Sequence, residues 1–174
     1  MTESTILLGD IGGTNARFAV ASHTKAKYES ERVFQCDDFG SAESAIQQYL
    51  EEISAPPVTS VCLAVAGPVA EGKARLTNNR WLFDEESLRV ALGCDRVKLI
   101  NDFQAAALGM AELGPADMTQ VGDVELPDLR RTEYVIAVVG PGTGFGASTL
   151  IKRDGRLTTL SGEAGHVGFA PENP

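Results

Sequence analysis

Two stretches of this chain repeat one device, and together they leave few folds open. Ile6-Leu7-Leu8 is a short apolar run that ends at Gly9-Asp10, and after Gly12-Gly13 the apolar residues Ala16, Phe18 and Val20 take alternate positions. That pattern predicts a hairpin whose turn is made of glycine and small polar residues. Residues 139–151 repeat it as strand, turn Gly140-Pro141-Gly142-Thr143-Gly144, and strand. The repeat is weak in identity and clear in architecture. It predicts a ligand gripped between two related lobes.

The residues between and beside the two devices alternate strand with helix. Residues 31–36 supply a third strand. Ser41 is placed as an N-cap, with Glu43 in the first turn and Ala42, Ala45, Ile46, Tyr49, Leu50 and Ile53 at helical spacing. Pro56-Pro57 ends that helix. Residues 58–66 are almost continuously apolar, which predicts a central strand covered on both faces. Asp84 caps a second helix that runs through Leu88 and Leu92 to Gly93. Residues 96–100 form the next strand, with Asn101-Asp102 at its end, and residues 103–113 form an Ala-rich helix. Gly114-Pro115 marks the expected boundary between a lobe over 1–113 and the start of a second over 114–174. There, strands at 134–139, 145–151 and 156–160 follow, the last pair joined by Asp154-Gly155. The class is α/β.

Composition narrows the partners. Hydrophobic residues are 43% of the 174 and charged residues 22%, so a packed core needs no staples. A net charge of −9 repels phosphodiester backbones and anionic lipid, which argues against nucleic acid or membrane partners. A bound phosphate would have to be held locally, by backbone N–H groups and a metal ion. Cys36, Cys62 and Cys94 are an odd set without a close pair, as expected of free thiols in a reducing compartment. The first residues lack a basic segment and the first apolar run stops at Gly9-Asp10, so neither a signal peptide nor a membrane span is expected, and the location expected is cytoplasmic.

Four clusters carry possible chemistry. In Asp10-Ile11-Gly12-Gly13-Thr14-Asn15, adjacent glycines let the backbone approach a ligand, and successive N–H groups form an anion-binding concavity. Asp10 could hold a hydrated Mg²⁺ beside phosphate; the alternative is a plain hairpin turn. The second turn has four glycines within residues 140–146, more than a hairpin needs. It is neither a Walker loop, since no Lys follows, nor a Rossmann fingerprint, since a strand follows. Asp102, at a strand's carboxyl end, suits a general base or, alternatively, a helix cap. Ser161-Gly162-Glu163-Ala164-Gly165-His166 offers an acceptor and a switchable donor to a polyol. Residues 75–81, with the single tryptophan, read as a turn around a packed aromatic.

In order along the chain, these stretches resemble the bacterial glucokinase family: residues 10–19, Ala66-Gly67-Pro68-Val69, Leu76-Thr77-Asn78-Asn79-Arg80-Trp81, Asn101-Asp102-Phe103, residues 140–146, and Gly162-Glu163-Ala164-Gly165-His166-Val167 with Phe169-Ala170-Pro171. The resemblance implies a ribonuclease-H-like, actin/hexokinase-type lobe with a mixed sheet and the start of a second, related lobe. It implies phosphorylation of D-glucose by ATP with Mg²⁺. Phosphate binding would fall to Gly9, Asp10, Ile11, Gly12, Gly13, Thr14 and Asn15 in the first turn and Gly142, Thr143 and Gly144 in the second. Asp10 would hold the metal through water, and Asp102 would be the catalytic base. Asn78, Asn101, Asp102, Glu163 and His166 would bind the sugar. A homodimer is implied for the full-length enzyme. Ala164 stands where the family has glycine, and Gly168 where an acidic residue is expected. Family members continue well past this length, so the chain is expected to be an N-terminal portion with little glucose phosphorylation of its own. Two alternatives are a kinase of the neighbouring repressor/kinase group, acting on another hexose, and a sugar-binding domain without catalysis.

Overall fold

The run at residues 58–66 is expected to form a central strand covered on both faces; it forms an interior strand, next to the edge of a five-stranded sheet. The computed structural model describes residues 5–22, 25–76, 80–123, 128–129, 133–141 and 145–162. Strands β1 (Thr5–Ile11), β2 (Asn15–Ser22) and β3 (Lys25–Gln35) form an antiparallel meander. Strand β4 (Val58–Val65) then pairs parallel to β1, and a later strand β8 (Arg96–Asn101) pairs parallel to β4. The resulting order, β3-β2-β1-β4-β8, is the mixed sheet of a ribonuclease-H-like lobe. Helix α1 (Ala42–Glu52) separates β3 from β4, and helix α2 (Glu85–Leu92) precedes β8. A small sheet of β5 (Val69–Ala70), β6 (Lys73–Arg75) and β7 (Leu82–Asp84) fills the gap between β4 and α2.

One face of the large sheet makes the core. Leu7, Ile11, Ala16, Phe18, Val61, Leu63, Val65 and Leu99 are buried there with Ala45, Ile46 and Tyr49 of α1 and Leu88 of α2. The rings of Phe18 and Tyr49 lie 5.6 Å apart, and those of Phe34 and Phe39 5.5 Å apart, so α1 is seated on the meander by aromatic contacts. The Tyr49 hydroxyl donates to the Ser30 carbonyl at 3.1 Å, and burial pushes its pKa up to about 12. Opposite, Asp10, Arg17 and Lys98 are exposed. Only one face of β4 therefore meets helices in this unit.

The punctuation follows the sequence closely. The Ser41 hydroxyl accepts from Ser44 N at 3.3 Å, Asp84 accepts from Ser87 N at 2.9 Å, and Gly93 closes α2 in the left-handed region at φ 61°. The Ser87 amide, with the Lys73 ammonium, holds the Asp84 carboxyl below its ordinary range. Asp154 and Gly155 both take positive φ, the pair of angles a two-residue hairpin turn requires. By contrast, β3 begins at Lys25, six residues before the expected strand. It is held by its ladder to β2, and its exposed residues carry no apolar alternation.

The packing divides the chain into residues 1–102 and 103–174. Helix α3 (Asp102–Met110) starts at that division, shorter than the expected 103–113. The expected boundary at Gly114-Pro115 counts this helix with the first lobe. Packing counts it with the second, because Ala107, Leu108 and Met110 share a cluster with Leu129, Tyr134 and Leu150. The second unit's sheet is another antiparallel meander, β9 (Tyr134–Pro141), β10 (Phe145–Arg153) and β11 (Arg156–Gly162). Each unit thus carries a three-stranded meander with a glycine turn between its first two strands. No helix among the described residues is long and apolar enough to cross a membrane.

The Phe103 ring lies over the cross-strand pair Gly140–Gly146. A Cβ on Gly140 would come within 2.8 Å of the ring, and one on Gly146 would fall inside its van der Waals surface. Gly146→Ala is therefore expected to destabilise the protein by about 1–3 kcal/mol, the usual cost of overpacking. Urea unfolding measures it; unchanged stability would show that the ring does not sit there.

Candidate functional site at the carboxyl edge of the sheet

Parallel pairing sets three strand ends in one row. Ile11 is in register with Val65, and Val65 with Asn101. The chain segments that leave these strands therefore emerge side by side at the carboxyl edge, where open α/β sheets bind ligands. They are the first glycine turn, the Ala66-Gly67-Pro68 turn, and Asn101-Asp102. Two hydrogen bonds tie them together: Ala66 N donates to Ile11 O at 2.9 Å, and Asn101 Nδ2 donates to Gly67 O at 3.1 Å. Asp102, half-buried, is the first residue of α3, where the helix dipole favours a carboxylate.

Strand β1 continues further into the glycine motif than expected. Gly9 and Ile11 are strand residues, and the Ile11 side chain is fully buried. A Cβ on Gly9 would come within 2.6 Å of Leu63 Cδ2, so this glycine is bare because the core needs it to be. Gly12 differs. A Cβ there would meet only Asn15 O at 3.7 Å, an ordinary contact, so packing places no demand on it. The open approach is left for a ligand.

The turn's polar groups fit phosphate. Gly12 N–H closes the turn on Asn15 O at 2.9 Å, whereas the Gly13 and Thr14 amides have no partner among the described residues. Asp10 and Arg17 face each other across β1 and β2 and pair at 3.1 Å; Arg17 also lies 3.5 Å from Glu31. With side chains 60% and 51% exposed, the Asp10–Arg17 pair contributes only about 0–1 kcal/mol and can be exchanged for another cation. Among the described residues no three His, Cys, Asp or Glu side chains gather to hold a metal ion. A single carboxylate beside phosphate nonetheless suits Mg²⁺, which keeps most of its waters and shares the rest with phosphate oxygens.

The other expected site residues are distributed unevenly. Asn78, Glu163, His166, Gly142, Thr143 and Gly144 lie outside the described residues. Asn101 lies at the edge, with its amide committed to Gly67 O. Trp81 is buried and its indole N–H donates to Phe39 O at 3.2 Å, in keeping with a packed aromatic. Cys36 and Cys94 are buried free thiols, and Cys62 is a half-buried one whose pKa burial raises. Sequence reasoning missed Arg17, Gln35, Cys36, Gly67 and Phe103. Arg17 was findable, as a charge seven residues from Asp10 in a hairpin; the others depend on contacts that no spacing announces.

The chain resembles known proteins over nearly its whole length. The Glucokinase family model matches residues 7–174. The glucokinase of Caulobacter vibrioides (strain NA1000 / CB15N) is 42% identical over 167 residues, covering 95% of this chain and 49% of that protein. Among solved structures, a glucokinase from an Antarctic psychrotroph matches with a TM-score of 0.81 at 35% identity, covering 98% of this chain and 53% of that one. The glucokinase of Balamuthia mandrillaris, solved in complex with glucose, matches with a TM-score of 0.68 at 22% identity, a likeness of fold; it covers 99% of this chain and 51% of that one. The chain spans about half the length of the curated relatives it matches. With the Glucokinase family model matched over residues 7–174, the chain belongs to the glucokinase family.

Proposed function

We propose that a protein containing this chain transfers the γ-phosphoryl group of ATP to the 6-hydroxyl of D-glucose. The observation that carries the reading is the shared carboxyl edge, where a glycine–threonine turn with open amides and Asn101-Asp102 leave the parallel strands on either side of β4. Family membership supports the sugar, as does the glucose bound to the Balamuthia relative.

In this reading Gly12, Gly13, Thr14 and Asn15 cradle phosphate oxygens, joined by Gly142, Thr143 and Gly144 from the second turn. Asn78, Asn101, Glu163 and His166 hold sugar hydroxyls and orient the 6-hydroxyl. Asp102 accepts the proton of that hydroxyl as its oxygen bonds to phosphorus and ADP departs. Phosphoryl transfer passes through a loose transition state, so alignment and charge stabilisation do most of the work. Mg²⁺, held through water by Asp10, would neutralise charge on the phosphate oxygens. The scheme needs two lobes that close and exclude water, because water would otherwise take the phosphoryl group. Each lobe brings one glycine turn. Helix α3 is counted in the first lobe (1–113) by sequence and with the second unit by packing. The same reading makes the enzyme cytoplasmic and without nucleic acid or membrane partners, supported by the charge of −9 and the three free thiols, and the family resemblance adds a homodimer for the full-length enzyme.

Two substitutions test the roles in a protein of the relatives' full length. Asp102→Asn keeps the shape and removes the base, so kcat should fall at least about 10²-fold with little change in glucose KM. Near-normal turnover would leave Asp102 as a helix-end residue only. Asp10→Asn should raise the Mg²⁺ concentration that gives half-maximal rate by roughly tenfold, the effect of losing a charged contact. An unchanged Mg²⁺ requirement would mean that Asp10 serves only Arg17.

A further inference from the structure

A turn that binds phosphate must present donors and hide acceptors, since a carbonyl oxygen facing a phosphate oxygen repels it. In a strand-to-strand turn nothing local guarantees that orientation. Here it is imposed from outside the turn, by Gln35, the last residue of β3, and Cys36, which follows it. Gln35 Nε2 donates to Asn15 Oδ1 at 2.7 Å. Cys36 N donates to Thr14 O at 2.8 Å, and Cys36 Sγ lies 3.7 Å from Gly12 O, within reach of a thiol donor. All three bonds take oxygens of the turn. A further oxygen of the turn, Asn15 O, is taken by Gly12 N–H.

The consequence follows from peptide geometry. In a trans peptide the carbonyl of one residue and the N–H of the next point in opposite directions. Turning Gly12 O toward Cys36 therefore aims Gly13 N–H away from β3. With Gln35 Nε2 donating to Asn15 Oδ1, the Asn15 NH₂ donor faces outward, where a flipped amide would show an oxygen. Cys36, 2% exposed, is locked in the core beneath the turn, so the anchor does not drift with solvent.

We infer that Gln35 and Cys36 are a positioning pair that sets the polarity of the first phosphate turn, a role that rests on the nucleotide reading above. Neither residue touches the reacting atoms; both act through Gly12, Thr14 and Asn15. Gln35→Glu reverses the one bond that can be reversed. The new carboxylate only accepts, so it draws the NH₂ of Asn15 inward and turns the Asn15 oxygen toward the ligand. Gln35→Met removes the donor without forcing the flip.

The test titrates Mg·ATP into the full-length protein and its two variants at low and high salt, with glucose KM and melting temperature measured alongside. In the unaltered protein the Gly13 and Thr14 amide signals should shift on adding Mg·ATP. Gln35→Glu should weaken Mg·ATP by roughly tenfold or more, the scale of one lost hydrogen bond to a charged group, and Gln35→Met by less. The loss should persist at high salt, where simple repulsion by an exposed carboxylate is screened. Glucose KM and melting temperature should stay unchanged. If the Gly13 and Thr14 amides of the unaltered protein ignore Mg·ATP, the nucleotide reading fails and the inference falls with it. If they respond but Gln35→Glu binds normally, loses its effect at high salt, or weakens glucose and stability equally, the positioning role alone is overturned.

Discussion

The parallel ladder from β1 through β4 to β8 is the constraint on which the rest depends. It requires the backbones of Ile11, Val65 and Asn101 to lie in one row, and burial fixes that row. A slip of one residue would turn Leu7 and Ile11 out of the core and Asp10 into it. Because the register cannot slip, the glycine turn, the Ala66-Gly67 turn and Asp102 are delivered to the same edge. The site's geometry is thus set by apolar packing elsewhere. Gly9 shows how tightly: its bare Cα lets Leu63 and Phe18 close over β1, and only then does the strand carry Asp10 to its place.

Much of this was legible wherever one residue's chemistry decides a local conformation. Ser41 and Asp84 announced their helices, Gly93 its helix end, and Asp154-Gly155 its hairpin, since each acts within a few residues. Legibility failed where partners are distant in sequence. Strand β3 is polar and exposed, so its pairing with β2 left no periodic trace before Glu31. The sheet of β5, β6 and β7 consists of segments too short to show a period. Helix α3 reads as a continuation of the first lobe in sequence, yet its apolar residues are claimed by Leu129, Tyr134 and Leu150.

The glycines show the same limit within the site. Counting four of them within residues 140–146 suggested a turn shaped for a ligand. Two of the four, Gly140 and Gly146, are bare because Phe103 lies over them. At the first turn the division runs the other way, with Gly9 serving the core and Gly12 free of any packing demand. Composition alone cannot make that distinction, because a glycine that admits a neighbouring ring and one that admits a phosphate are the same letter. The orientation of the turn was equally hidden, since Gln35 and Cys36 reach it across the sheet from about twenty residues away.

The central claim is that a metal–nucleotide complex held at the Asp10 turn lies beside the other two strand ends. Mn²⁺, a paramagnetic stand-in for Mg²⁺, tests it directly when added with ATP to this chain while backbone amide signals are followed. The account predicts selective broadening of Gly12, Gly13, Thr14 and Asn15 together with Ala66, Gly67, Asn101 and Asp102, with Val90 and Ser54 on the remote side left sharp. Broadening centred instead on the acidic surface around Glu71, Asp84 and Glu86, with the strand-end residues unaffected, would contradict it.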